Sequence, residues 1–233
     1  MKTGLLTLLV VLVGMGTAFA GSCVTNTYDT YVGPPSISCD ISVNPPGDVK
    51  TFSNFTYSTS GSDHMPDTSI TVSPLSSPYN AGLLFNAPWS VGSLHTQDSL
   101  IGFTVMVASG SALINDLTLL MLGGATTGTG MASVAETYCL GDTFADGCAK
   151  GTTGSLLTFM NSGGSKLSDT VTFKGVKEVD VEKDILLAGG DNGTAVLSGV
   201  ENLFSEIPEP GSLATLGSGL LCLAGLLGRR LFA

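Results

Sequence analysis

In the stretch VKEVDVEKD, residues 176–184, apolar and charged positions alternate: Val179 and Val181 against Glu178, Asp180 and Glu182. A repeat of two belongs to a strand with one face on a core and the other in water, because a helix would mix the two sets. The carboxylates are then a solvated strand face. Elsewhere apolar runs of about five to nine residues recur between turn-formers, the pattern of many short strands. Strands are predicted at 51–59, 68–72, 83–86, 100–107, 155–160, 169–174, 176–187 and 194–200. Runs 112–122 and 131–140 read as a strand pair joined by the glycine-rich segment 123–130. Within 51–59, Phe55, Tyr57 and Thr59 alternate while Phe52 stands out of phase. Asp191-Asn192-Gly193 is a turn signal ahead of the last strand. The segment from Gly21 to about residue 50, with Pro34-Pro35 and Pro45-Pro46, reads as an irregular arm. Together these features predict an all-β fold, a single β-sandwich or jelly-roll-like domain.

The two ends follow other rules. Lys2, the apolar run 5–13 and Ala18-Phe19-Ala20 form a secretory signal peptide over residues 1–20, with Ala18 and Ala20 as the small residues that signal peptidase needs before Gly21. A minor alternative makes Cys23 an acylated lipoprotein cysteine. At the other end, residues 211–228 are uncharged, and as a helix they would extend roughly 27 Å, close to a bilayer's hydrocarbon thickness. Arg229 and Arg230 would stop transfer and hold the C-terminus in the cytoplasm. In front of this span, Pro208-Glu209-Pro210 keeps the chain extended, because prolines cannot enter a helix interior. The intervening chain, 21–207, is then delivered across the inner membrane.

Pro208-Glu209-Pro210, a short apolar span and Arg229-Arg230, in that order, resemble the PEP-CTERM sorting signal of Gram-negative bacteria, with residues 208–233 as the signal. The resemblance covers about the last 26 residues. It implies that an exosortase, a membrane enzyme, reads Pro208, Glu209 and Pro210 and cleaves near them, making this chain its substrate. It further implies an envelope or extracellular-matrix destination with exopolysaccharide as a possible neighbour. About catalysis by the body it implies nothing.

Composition narrows what the body can do. Residues 21–207 hold six lysines against eighteen acidic residues and no arginine, a formal charge of −12. Nucleic-acid binding needs cations to displace counterions, so a nucleic-acid partner is not expected. Four cysteines, Cys23, Cys39, Cys139 and Cys148, are an even number in an exported chain and predict two disulfides. Three pairings are open, and nearness in sequence favours Cys23 with Cys39 and Cys139 with Cys148. Neither spacing suits a structural zinc site. Cys222 lies in the apolar tail and is expected to stay unpaired.

Candidate chemistry is thin. The glycine-rich segment 123–130 follows an apolar run, but Ser133 stands where a dinucleotide fingerprint needs glycine and no P-loop lysine follows. Glu178, Asp180 and Glu182 share one strand face and do not flank a cleft as a glycosidase pair must. Glu136, near Cys139, is an isolated acid worth following. His64 and His95 sit among loop-formers beside Asp63, Asp67 and Asp98 and read as exposed loop residues. Asp142 and Asp146 lack the spacing of a calcium loop, and Trp89 reads as a buried anchor before it reads as a sugar platform. No nucleophile elbow or Ser-x-x-Lys occurs. The expectation is a non-enzymatic structural or adhesive exported protein without cofactor or metal. The alternatives are a carbohydrate- or calcium-binding module and, third, a secreted hydrolase.

Overall fold

The computed structural model describes residues 20–34, 37–43, 48–77, 80–108 and 112–207. Its elements in chain order begin with β1 (Gly21–Ser22), β2 (Asn26–Thr27), the one-turn helix α1 (Tyr28–Val32), β3 (Cys39–Ser42) and β4 (Val49–Gly61). There follow β5 (Thr71–Ser77), β6 (Asn80–Val91), β7 (Thr96–Val107), β8 (Leu113–Leu122), β9 (Ala125–Thr127) and β10 (Met131–Leu140). The chain continues through β11 (Thr152–Asn161), β12 (Gly164–Lys166), β13 (Ser168–Val176), β14 (Glu178–Ala188) and β15 (Thr194–Ile207). The fold is all-β, as the alternation predicted. Among the described residues no helix is long and apolar enough to cross a membrane. The span expected at 211–228 lies outside them.

Two sheets carry these strands. The first has the order β1-β3-β4-β7-β14-β10-β11-β12, and the second β13-β8-β15-β6-β5-β2, with β9 added against β15. The chain repeatedly crosses between sheets: β12 to β13, β13 to β14 and β14 to β15 each change layer. The turn at 190–192 is therefore a crossover between layers and not a hairpin.

Between the sheets lies one apolar core. Phe52 and Phe103 from the first sheet meet Phe85 and Phe204 from the second. Phe103 lies 5.8 Å from Phe85 and 6.1 Å from Phe204, and Phe52 lies 5.9 Å from Phe204, between ring centres. Offset and edge-on rings of this kind add to the burial of their area. Val179, Val181, Ile185 and Leu187 of β14 point into the same core. Trp89 is buried there, its indole N–H donating to Ser99 Oγ at 3.3 Å.

Three expectations change. Residues 112–122 and 131–140 are both strands but not partners: β8 pairs with β13 and β15, whereas β10 pairs with β11 and β14. The glycine-rich segment between them is not a plain hairpin loop, because β9 pairs with β15 and carries the chain across to the other layer. The arm at 21–50 is partly regular and contributes to the core: Tyr28 is fully buried and its hydroxyl donates to the carbonyls of Thr56 (3.0 Å) and Gly102 (3.1 Å).

The phase break at Phe52 has a local cause. The register of β4 against β7 shifts between Ser53 and Thr56, and Asn54 takes φ 55°, a conformation that Asn tolerates better than most residues. The bulge adds one residue, so Phe52 and Phe55 both face the core although their spacing is odd.

Candidate functional site

Both expected disulfides are present. Cys23 bonds Cys39, and Cys139 bonds Cys148. The second closes a short loop after β10, and that loop folds over the outer face of the first sheet. There it walls a groove of about 390 Å³ with Asn54, Thr56, Gly102, Thr104, Asp180, Glu182, Thr143 and Phe144 around it.

The floor of this groove is a polar relay across three strands. Asn54 Nδ2 donates to Thr104 Oγ1 at 3.1 Å, and Thr104 Oγ1 donates to Asp180 Oδ1 at 2.7 Å. Asp180 Oδ2 in turn accepts the Phe144 backbone N–H at 2.8 Å, tying the disulfide loop to the sheet. Asn54 is here because of the β4 bulge, which turns it outward. The result is a fixed polar floor beside a half-buried aromatic ring, an arrangement suited to hydrogen-bonding and stacking on a sugar.

A second concavity of about 290 Å³ lies further along the same face, lined by Ser58, Thr59, Ser60, Asp98, Leu100 and Asp184. Asp98 accepts from Ser60 Oγ at 2.9 Å. Desolvation, then the hydrogen bond and charge of Asp98, push the Asp184 carboxyl up to about 6. Asp184 therefore takes up its proton at a milder pH than an ordinary carboxyl does.

The interior holds two polar clusters whose members come from strands far apart along the chain. Lys50 of β4 forms a salt bridge with Glu206 of β15, both side chains fully buried. Burial lowers the lysine and raises the carboxyl, and the second carboxyl oxygen of Glu206 has no partner. Lys183 of β14, Glu136 of β10 and Asn202 of β15 form the other cluster, with no exposure at any of the three. Glu136 is therefore a core residue and not part of the Cys139–Cys148 loop surface. Lys183 could have been read from its phase: it continues the inward set Val179, Val181, Ile185 and Leu187.

The other expected sites disperse. Asp142 accepts the Lys150 N–H at 2.9 Å, which lowers its carboxyl, and Asp146 accepts from Thr143 Oγ1 at 3.4 Å. Both cap their own loop. Among the described residues no group of three or more His, Cys, Asp or Glu side chains is placed to hold a metal ion. His95 Nδ1 lies 2.8 Å from Asp63 Oδ1 on the surface, an exposed pair with no further acidic or histidine side chain placed to complete a metal site among the described residues. Glu178, Asp180 and Glu182 project from one face of β14 as expected, with desolvation and then Asp180 raising the Glu178 carboxyl. Gly128 packs where an added Cβ would come within 2.6 Å of the Asn192 carbonyl oxygen, so the glycine-rich segment is closed against the 190s turn and forms no phosphate cradle. Of the processing residues, Gly21 opens β1 and Ala20 precedes it, whereas Ala18, Pro208, Glu209, Pro210, Arg229 and Arg230 lie outside the described residues.

No protein-family profile and no curated protein matches the chain. Among solved structures it is similar to the enzymatically active domain of tailspike protein 4 from bacteriophage CBA120, at 13% identity and TM-score 0.28. The match covers 64% of this chain and 19% of that one, too loose an overlap to transfer an activity.

Proposed function

We propose that the chain is an exported cell-envelope or extracellular-matrix protein with a structural or adhesive, non-catalytic role, sorted through its C-terminal signal. The observation that carries this reading is the pairing of the two end signals around a disulfide-bonded, acidic β body. Disulfides of this kind persist in oxidising compartments. An exosortase and signal peptidase are the processing partners in this reading, and the membrane is a transient one. Changing Pro208, Glu209 and Pro210 together to alanine tests it: the body should accumulate in the inner-membrane fraction and vanish from the matrix. An unchanged distribution would remove the sorting role.

The groove beside Phe144 favours a second reading, a carbohydrate-binding module, in place of the stacking role considered for Trp89, which is buried. Glycan-array binding that is lost in Phe144→Ala and retained in Trp89→Phe would support it. Binding indifferent to Phe144 would reject the groove.

A further inference from the structure

Lys183, Asn202 and Glu136 stand as nucleophile, acyl donor and proton carrier, and we propose that they form an intramolecular isopeptide bond between Lys183 Nζ and Asn202 Cγ. The proposal rests on how the three groups touch. Lys183 Nζ is hydrogen-bonded to the side-chain carbonyl oxygen Oδ1 of Asn202, which sets the amine beside the amide carbon. Glu136 Oε2 accepts from Lys183 Nζ at 2.7 Å and from Asn202 Nδ2 at 2.7 Å, and its Oε1 accepts from the same Nδ2 at 2.9 Å. A single carboxyl group therefore contacts both the attacking nitrogen and the nitrogen that would leave.

In water this reaction is negligible, because the amine is protonated and an amide nitrogen is a poor leaving group. Both obstacles weaken here. The site is dry and aromatic, with Nζ 5.1 Å from the centre of the Phe103 ring and 5.3 Å from that of Phe85. Burial lowers the lysine, favouring the neutral amine that can attack. The direct hydrogen bond to Glu136 lets the ammonium proton pass to the carboxylate without leaving the cluster. The strands hold the groups in place before reaction, so the attack is effectively unimolecular.

The step balances without an external reagent. Neutral Lys183 Nζ attacks Asn202 Cγ, the Glu136 proton is delivered toward the departing nitrogen, and the proton shed by Nζ returns to Glu136. One N–C bond forms and one breaks. An amine and a primary amide become a secondary amide and ammonia, and Glu136 ends as it began. Lys50 and Glu206 provide the contrast: they are equally buried, but the partner is a carboxylate and the pair remains ionic. The bond would tie β14 in one sheet to β15 in the other, across a separation of 19 residues. It joins the two sheets between interior positions of the two strands, on either side of the 189–193 crossover. It does not depend on the sorting reading.

Peptide mapping of the purified full-length chain by tandem mass spectrometry tests the proposal. Trypsin should fail to cut after Lys183 and leave one peptide beginning at Glu178, lighter than its sequence by one ammonia. A second protease cutting before Asp184 and Asp191 should convert it to a branched species, the piece ending in Lys183 still joined to the piece carrying Asn202. Ring closure at Asn192-Gly193 also loses ammonia, but it neither blocks trypsin nor makes a branch. In Glu136→Gln the cut after Lys183 should return and the missing ammonia reappear. Recovery of linear, full-mass peptides containing Lys183 and Asn202 from the unaltered chain overturns the proposal, whatever the variant does. So does a full cross-link in Glu136→Gln, for the role of Glu136.

Discussion

Changing Lys50 to methionine should destabilise the protein far more than its single hydrogen bond suggests. Lys50 and the Glu206 carboxyl are both without solvent, and Glu206 already has one oxygen unpartnered. Removing the ammonium leaves a buried carboxylate with no counter-charge, a loss of about 3–5 kcal/mol. For a domain of this size that is a fall in Tm of roughly 6–20 °C. Removing both partners, in Lys50→Met with Glu206→Leu, should recover most of the loss, because two desolvation penalties vanish together with one imperfectly satisfied attraction. The double variant should lie within about 1 kcal/mol of the original chain or above it. Urea unfolding can be followed by Trp89, the single tryptophan, which is buried in the same core. If Lys50→Met costs less than about 1 kcal/mol, or if the double variant is as damaged as the single one, the pair is not held as a dry ion pair.

Two further outcomes follow from the outer face and its disulfide loop. The raised carboxyl of Asp184 contributes stability that is fully present below the ordinary value of 3.8 and is lost as pH rises through about 6. Asp184→Asn should flatten that decline and stabilise the chain at neutral pH, by about 1 kcal/mol once solvent screening of a half-buried group is allowed for; a decline that persists in the variant assigns it to another group. Opening the Cys139–Cys148 loop with paired serine substitutions should cost about 2–3 kcal/mol through the freed unfolded chain, read as a lower urea midpoint with little change in slope. Because the loop walls the groove, any glycan affinity should fall with it, and affinity untouched by opening the loop would detach binding from the groove.

Strand positions were legible where local rules act alone. The alternation in β14 fixed both its faces, and nearness in sequence favoured the two disulfide pairings. Which strands pair is a non-local matter: β8 and β10 are joined by a short segment, yet each finds its partners in a different sheet. The bulge at Asn54 was visible only as the odd spacing of Phe52 and Phe55. Glu136 attracted attention for its nearness to Cys139, when its importance comes from Lys183 on one side and Asn202 from the opposite sheet. Lys183 carried a signal in its own phase, a lysine on the apolar beat of a strand, and such a residue demands a buried partner. Asn202 carried the same signal more faintly: it lies in phase with Val200 and Phe204, but Leu203 makes the opposite phase apolar as well.

The central claim, an exported body released from its two end signals, is tested most directly by terminal mass mapping of the protein recovered from its native cells. The account predicts an N-terminus at Gly21, a C-terminus close to Pro208-Glu209-Pro210 and four oxidised body cysteines. A cytosolic chain that keeps residues 1–20 and 208–233 with reduced thiols would contradict it.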